Sequence, residues 1–238
     1  MEAAGYATLS RQTGLMREMR VVANNIANSA TTGYRSEGLI FSEYVQTAPG
    51  QESLSMARAN IFNTSMEQGQ LTQTGGNFDF AIEGDAYFMI ETPQGERLTR
   101  SGAFSPNAAG DLVTMDGLRV LDAGRAPVFI PGTAESVLVG ADGTITADGN
   151  TIGQIGLFQP VDAHTMMRED GVMFRVEGEI EDSETGSMVQ GFLEGSNVNA
   201  IGQVTRMIEI QRAYEMGQSF LDTEDKRIRE AIKNLIKS

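Results

Sequence analysis

Cysteine and tryptophan are both absent from this 238-residue chain. Without a thiol there is no disulfide framework, thiolate nucleophile or cysteine metal site. Histidine occurs once, as His164. No second histidine and no patterned set of carboxylates accompanies it, so an imidazole-centred metal or acid–base site is not expected. Gly75-Gly76 is not followed by the Lys-Ser or Lys-Thr pair of a phosphate loop, and no serine stands in a Gly-x-Ser-x-Gly elbow. Asp142-Gly143 and Asp148-Gly149 lack the alternating oxygen ligands of a calcium loop and are predicted to be hairpin turns. No catalytic residue, cofactor or metal is therefore predicted. Also missing are a run of ~20 apolar residues that could cross a bilayer and the basic and apolar regions of a secretory leader. Membrane insertion is not expected, and these criteria taken by themselves point to the cytoplasm.

Basic charge is scarce. The formal net charge of −14 argues against a nucleic-acid partner. Its distribution is uneven: residues 1–37 hold four basic and three acidic side chains, residues 199–238 seven and six, and the stretch between them seven against 23. The ends are close to neutral, and the acidity lies wholly in the middle.

Proline is missing after Asn199, and glycine occurs there only as Gly202 and Gly217. This is the longest uninterrupted stretch of the chain. Ala200, Met207, Tyr214, Leu221, Ile228 and Leu235 are spaced by seven, with Ile210, Gly217, Glu224 and Ala231 at companion positions and Ala213 and Phe220 widening the apolar side. A seven-residue repeat predicts a helix with a seam made for another helix. At 1.5 Å per residue it would span roughly 60 Å. A second helix is predicted from Glu2 to about Asn28. There Leu9, Met16 and Ala23 are spaced by seven, Met19 and Ile26 are companions, and Leu15 and Val22 flank them. Ser29-Ala30-Thr31-Thr32 is poor helix material, and Gly33 can supply a left-handed turn.

Tyr34–Val45, with Leu39, Ile40, Phe41, Tyr44 and Val45, reads as a short helix or an extended run. Pro49-Gly50 is a turn signal, and Gln51–Gly76 has the low apolar density of an extended connector, so residues 34–77 read as the connector. From Phe78 the pattern changes to short apolar runs separated by turn residues every ~8–12 positions, the mark of an all-β domain. Ala86-Tyr87-Phe88-Met89-Ile90 reads as a buried strand, Arg97–Phe104 as another, and Asp116-Gly117 as a hairpin turn. The predicted layout is α+β: an N-terminal helical segment 1–33, a connector 34–77, a β domain 78–191 and a C-terminal helical segment 192–238. The two helical seams are worth on the order of 10 kcal/mol if buried, comparable to the net stability of a whole domain. Either the helices pair with each other and with further copies, or they order only when a partner arrives. Packing on the β domain as ordinary amphipathic helices is the alternative.

Three blocks of residues resemble the bacterial flagellar axial proteins, the rod and hook family. The first is Ala23-Asn24-Asn25-Ile26-Ala27-Asn28 with Thr31-Thr32-Gly33-Tyr34. The second runs from Gly84-Asp85-Ala86-Tyr87-Phe88 through Thr99-Arg100-Ser101-Gly102-Ala103-Phe104 to Gly110-Asp111-Leu112-Val113-Thr114. The third is Gly195-Ser196-Asn197-Val198-Asn199, then Met207-Ile208 and Gln211-Arg212-Ala213-Tyr214-Glu215. The chain departs from the family's usual Asn-Thr-Thr-Gly-Phe block in having Ser29-Ala30 before Thr31 and Tyr34 in place of Phe. The length and single modest β domain are similar to a rod subunit and not to the longer hook proteins, with a proximal rod component the better match and a distal one next.

The resemblance implies export through the flagellar type III apparatus without a cleaved signal. It also implies helical polymerisation across the periplasm with copies of itself and other rod proteins. The terminal helices would pair as a coiled-coil-like inner layer, with the β domain outside. On this reading localisation moves from the cytoplasm to the periplasmic basal body. Assembly residues are expected at Leu9, Met16, Met19, Ala23, Asn24, Asn25, Ile26, Asn28, Thr32, Gly33 and Tyr34, and at Asn197, Val198, Asn199, Met207, Ile208, Ile210, Arg212, Tyr214, Leu221, Ile228 and Leu235. The amides of Asn24, Asn25 and Asn28 suit a helix end where side chains bridge backbones.

Overall fold

The computed structural model describes residues 2–46, 54–183 and 185–237. It divides into two units. One contains residues 1–27, 37–65 and 199–238, and the other residues 28–36 and 66–198. The first holds helix α1 (Glu2–Ala27), strands β1 (Glu37–Gln46) and β2 (Leu54–Thr64), and helix α2 (Ala200–Lys237). Its α1 packs against both α2 and the antiparallel β1–β2 ribbon. Neither helix is long and apolar enough to cross a membrane, among the described residues.

The ribbon corrects the expected connector. Within 34–77, Glu37–Gln46 and Leu54–Thr64 pair in register from Glu37↔Thr64 to Gln46↔Leu54, with one irregularity at Ile40/Phe41. The two extended runs satisfy their backbones by pairing with each other, where a lone extended segment would leave them to water. The Pro49-Gly50 turn lies outside the described residues.

The second unit is built on a seven-stranded antiparallel sheet. Its spatial order is Met166–Asp170, Met173–Val176, Gly95–Thr99, Phe88–Thr92, Arg119–Val120, Leu112–Thr114 and Phe104–Pro106. Side chains alternate across a strand, and the run 86–90 uses both faces. Ala86, Phe88 and Ile90 enter a core with Phe80, Phe104, Leu112 and Ile145. Tyr87 and Met89 enter another with Leu98, Phe158 and Phe174. That double burial is why the sequence shows a continuous apolar run there instead of alternation.

The turn residues behave as their chemistry requires. Asp148 and Gly149 both have positive φ (49° and 82°), linking Thr144–Ala147 to Asn150–Gln154. The predicted strand Arg97–Phe104 is broken into Gly95–Thr99 and Phe104–Pro106. Gly102 lies between them, where a Cβ would stand 1.8 Å from the Phe80 carbonyl oxygen. The β unit is also wider than 78–191, because Leu71–Gln73 pairs with Phe192–Glu194. His164 is exposed in a short 3-10 turn, its backbone N–H donating to the Asp162 carboxylate.

Candidate assembly site

α1 and α2 run antiparallel, and polar contacts set their register. Gln12 Nε2 donates to the Tyr214 carbonyl (3.4 Å), Gln218 Nε2 to Gln12 Oε1 (3.4 Å), and Arg206 Nε to Glu18 (2.7 Å). The Glu18 carboxylate, foremost through this hydrogen bond, raises the Arg206 pKa above its ordinary value. Asn25, 1% exposed, joins three elements. Its Nδ2 donates to the Glu37 carbonyl (2.8 Å) and to Gln203 Oε1 (3.4 Å), and its Oδ1 accepts from Glu37 N–H (3.0 Å).

On α2, the expected seam residues Met207, Tyr214 and Leu221 are half-buried and Ile210 is buried. Asn199 caps the helix, its Oδ1 accepting from Gly202 N–H at 3.0 Å. Ile228 is 46% exposed. α2 has 38 residues against 26 in α1, so in antiparallel pairing it outruns its partner by ~18 Å. The Leu235 side chain lies outside the described residues. Arg212 is exposed, as is Ile208 at 46%.

The expected N-terminal stripe needs correction. Leu9 is 51% and Met16 40% exposed, and Ala23 is exposed as well; these three do not cover the α2 seam. The buried side of α1 is Gln12, Gly14, Glu18, Val21, Val22 and Asn25, with Leu15, Met19 and Ile26 half-buried. A heptad reading weights large apolar residues and passes over the polar ones that make the contact. Within this unit Asn25 bridges α1 to Glu37 and Gln203, as expected of the asparagine block, while the Asn24 side chain is exposed.

The side of α2 turned away from Met207, Ile210 and Tyr214 carries exposed apolar residues, Ile201 (82%), Val204 and Ile208 (46% each), interspersed with exposed Thr205, Arg212 and Glu215. Met216 (67%) and Phe220 (48%) are exposed toward its edge. A groove of about 340 Å³ lies between the helices, lined by Arg11, Leu15, Ala213, Met216, Gly217 and Phe220.

The remaining expected residues belong to the β unit. Asn28 opens a turn, accepting from Thr31 at both its carbonyl (3.1 Å) and its side-chain oxygen (3.2 Å); Thr32 is half-buried. Gly33 has φ 71°, and a Cβ there would lie 2.4 Å from Ser101 N. Gly33 N–H donates to the Glu194 carbonyl (2.7 Å), and Asn197 N–H to the Tyr34 carbonyl (3.2 Å). Asn197 Oδ1 accepts from Ser36 N–H (2.6 Å) while its Nδ2 donates to the Glu67 carbonyl (2.8 Å). Val198 is half-buried. Tyr34 is 2% exposed, with the Arg168 guanidinium 4.4 Å from its ring centre.

Beneath these contacts is a charged node that the sequence reading missed. Glu194 receives Arg35 Nη2 at 2.9 Å on one oxygen and Arg100 Nη1 at 3.2 Å on the other, with all three side chains 1% exposed. Gly69 N–H also donates to Glu194 (3.0 Å). Arg100 donates to the Ile82 (3.2 Å) and Gly84 carbonyls and lies 4.8 Å from the Tyr87 ring centre. Arg35 donates to the Met66 (2.8 Å) and Glu67 carbonyls. Burial pushes the Arg35 pKa below its ordinary value, and the Glu194 carboxylate opposes that shift.

Three family descriptions match this chain: "Flagella basal body rod protein" over residues 6–35, "Flagellar hook protein FlgE/F/G D1 domain" over 81–147 and "Flagellar basal body rod FlgEFG protein C-terminal" over 189–234. Among relatives, the flagellar basal-body rod protein FlgF of Mesorhizobium japonicum is 37% identical, over 99% of this chain and 98% of the relative. FlgF of Caulobacter vibrioides is 36% identical over the same shares. FlgG of Agrobacterium fabrum is 33% identical over 91% of this chain and 93% of the relative. The chain belongs to the flagellar basal-body rod protein family. Each matched segment supplies one member of the buried node: Arg35, Arg100 and Glu194.

Proposed function

We propose that this chain is a structural subunit of the proximal flagellar rod, in the manner of FlgF. It polymerises helically through α1 and α2 to carry torque across the periplasm. The observation that carries the reading is the set of exposed apolar residues on α2, from Ile201 through Val204 and Ile208 to Met216 and Phe220. An ordered helix with large apolar residues on two sides belongs between other helices. Leu9 and Met16 of α1 and Ile228 and Ile232 of α2 are exposed as well.

Near-neutral ends suit a dense helical layer, which like charges would disrupt, and the acidic middle suits a hydrated exterior. The paired helices form a coiled-coil-like inner layer with copies of this chain and with other rod proteins. The subunit leaves the cell through the flagellar export apparatus and performs no catalysis. Basal bodies purified from a strain lacking the chain test this. Rods are expected to stop at the proximal level and to be completed when the chain is supplied. Full-length rods without it would overturn the reading, and rods that stop at the distal level would assign it there instead.

A further inference from the structure

The Arg35–Glu194–Arg100 node holds together two passages of the chain, and the geometry points to a positioning role for it. We propose that Arg35 and Glu194 position the two assembly helices by clasping residues 28–36 to residues 194–198, making the α1–α2 register conditional on a folded β unit. This deepens the reading of the chain as a rod subunit. Residues 28–36 leave α1, and residues 194–199 lead into α2. They are tied by Gly33 N–H to the Glu194 carbonyl, Asn197 N–H to the Tyr34 carbonyl and Ser36 N–H to Asn197 Oδ1. Gly33 has no room for a side chain against Arg100 and Ser101, nor Gly69 against Gly195. The two passages are therefore seated on the β unit as well as on each other.

The charge count of the node gives it a direction. Two guanidiniums share one carboxylate, and Arg35 Nε and Arg100 Nε have no hydrogen-bond partner among the described residues. Arg100 and Glu194 form a neutral pair within the β unit, further satisfied by Ile82, Gly84 and Gly69. Arg35 is the added cation, carried by the passage 28–36 that follows α1 and held there by the Met66 and Glu67 carbonyls. With the β unit folded, Leu71–Gln73 already pairs with Phe192–Glu194. Closing the clasp therefore shortens the open link between Ala27 and Ala200 from about 50 residues to about a dozen, which by loop-closure scaling raises the local concentration of one helix near the other by about eight-fold.

The test uses the full chain in solution, with amide hydrogen exchange and thermal melting. In Arg35→Met, the Gly33 and Ser36 amides are expected to exchange at least ~10-fold faster. Amides of α1 and α2 should follow by up to about eight-fold, while those of Phe88–Thr92 and the β-unit melting temperature stay as in the natural chain. Arg35→Lys, which keeps the charge, should restore part of the protection. Unchanged protection at Gly33 and Ser36 in Arg35→Met would overturn the proposal. So would loss of the β-unit transition in that variant, because Arg35 would then be holding the β unit and not the clasp. Failure of the natural chain to enter basal bodies would sink the rod reading instead, and would leave these solution outcomes readable.

Discussion

Replacing Ile208 by Asp separates assembly from folding more cleanly than any other change on α2. Ile208 is 46% exposed, so about half of the ~1.5–3 kcal/mol available from burying an isoleucine is still unrealised in the single chain. If a neighbouring helix covers that side, Ile208→Asp forfeits roughly 1 kcal/mol and places a carboxylate where water is excluded, at an effective cost of several kcal/mol. A penalty of about 4 kcal/mol per contact corresponds to nearly a thousand-fold in association. In the free chain the half-buried residue forfeits only the burial already realised, about 1 kcal/mol, and a few tenths of a kcal/mol of helix propensity. The expected result is a variant that stays folded, melting only slightly below the natural chain, and accumulates in cells, but is absent from purified basal bodies by immunoblot. Ile208→Leu, which conserves volume, should enter them. Ile208→Asp found in basal bodies at natural levels would refute the claim that this side of α2 is covered in the rod.

The other expectations follow from individual contacts. Gly33→Ala meets both a positive φ and backbone 2.4 Å away. It should destabilise the seating of residues 28–36 by roughly 3 kcal/mol, read as faster exchange at the Gly33-to-Ser36 amides. Asn199→Ala removes the cap of α2 and should cost about 1 kcal/mol, seen as fraying of its first turn in hydrogen exchange while the β-unit melt is unchanged. Phe88→Ala empties a fully buried position where three core rings meet. It should lower β-unit stability by ~3–5 kcal/mol in a denaturant titration.

What was legible in the sequence was local. The seam of α2 could be read because a long proline-free stretch repeats the same apolar spacing, and Ile210, Met207, Tyr214 and Leu221 do turn inward. The strand through Phe88 could be read because both of its faces are apolar, and the Asp148-Gly149 turn because its φ demand restricts residue choice. What escaped the reading depends on partners distant in the chain. Nothing local says that Gln12, Glu18 and Asn25 rather than Leu9, Met16 and Ala23 face the rest of the unit. The pairing of Glu37–Gln46 with Leu54–Thr64 did have a local signal, the Pro49-Gly50 turn residues between them, which the polar stretch after Gln51 outweighed. The charged node left one faint signal: Arg35, Arg100 and Glu194 each stand within two residues of a glycine inside or beside one of the three signature blocks. Charges packed close to backbone in that way are candidates for burial, and in the acidic middle region Arg100 is the rarer sign.

The two sides of α2 answer different requirements. Toward α1 the contacts are directional and polar: Gln12 with Tyr214 and Gln218, Glu18 with Arg206, Asn25 with Gln203. A slip of one turn would strand these groups, so they fix the pairing at some cost in stability, as a single polar residue does in a coiled coil. On the opposite side Ile201, Val204 and Ile208 offer apolar area without directional bonds. Such area tolerates small shifts in how a neighbour lies against it. On the proposed reading, a subunit beside copies of itself at one level and different proteins at the next needs that tolerance outside and a fixed register inside. The polar residues that the apolar pattern passed over in α1 are the ones that make the inner register fixed.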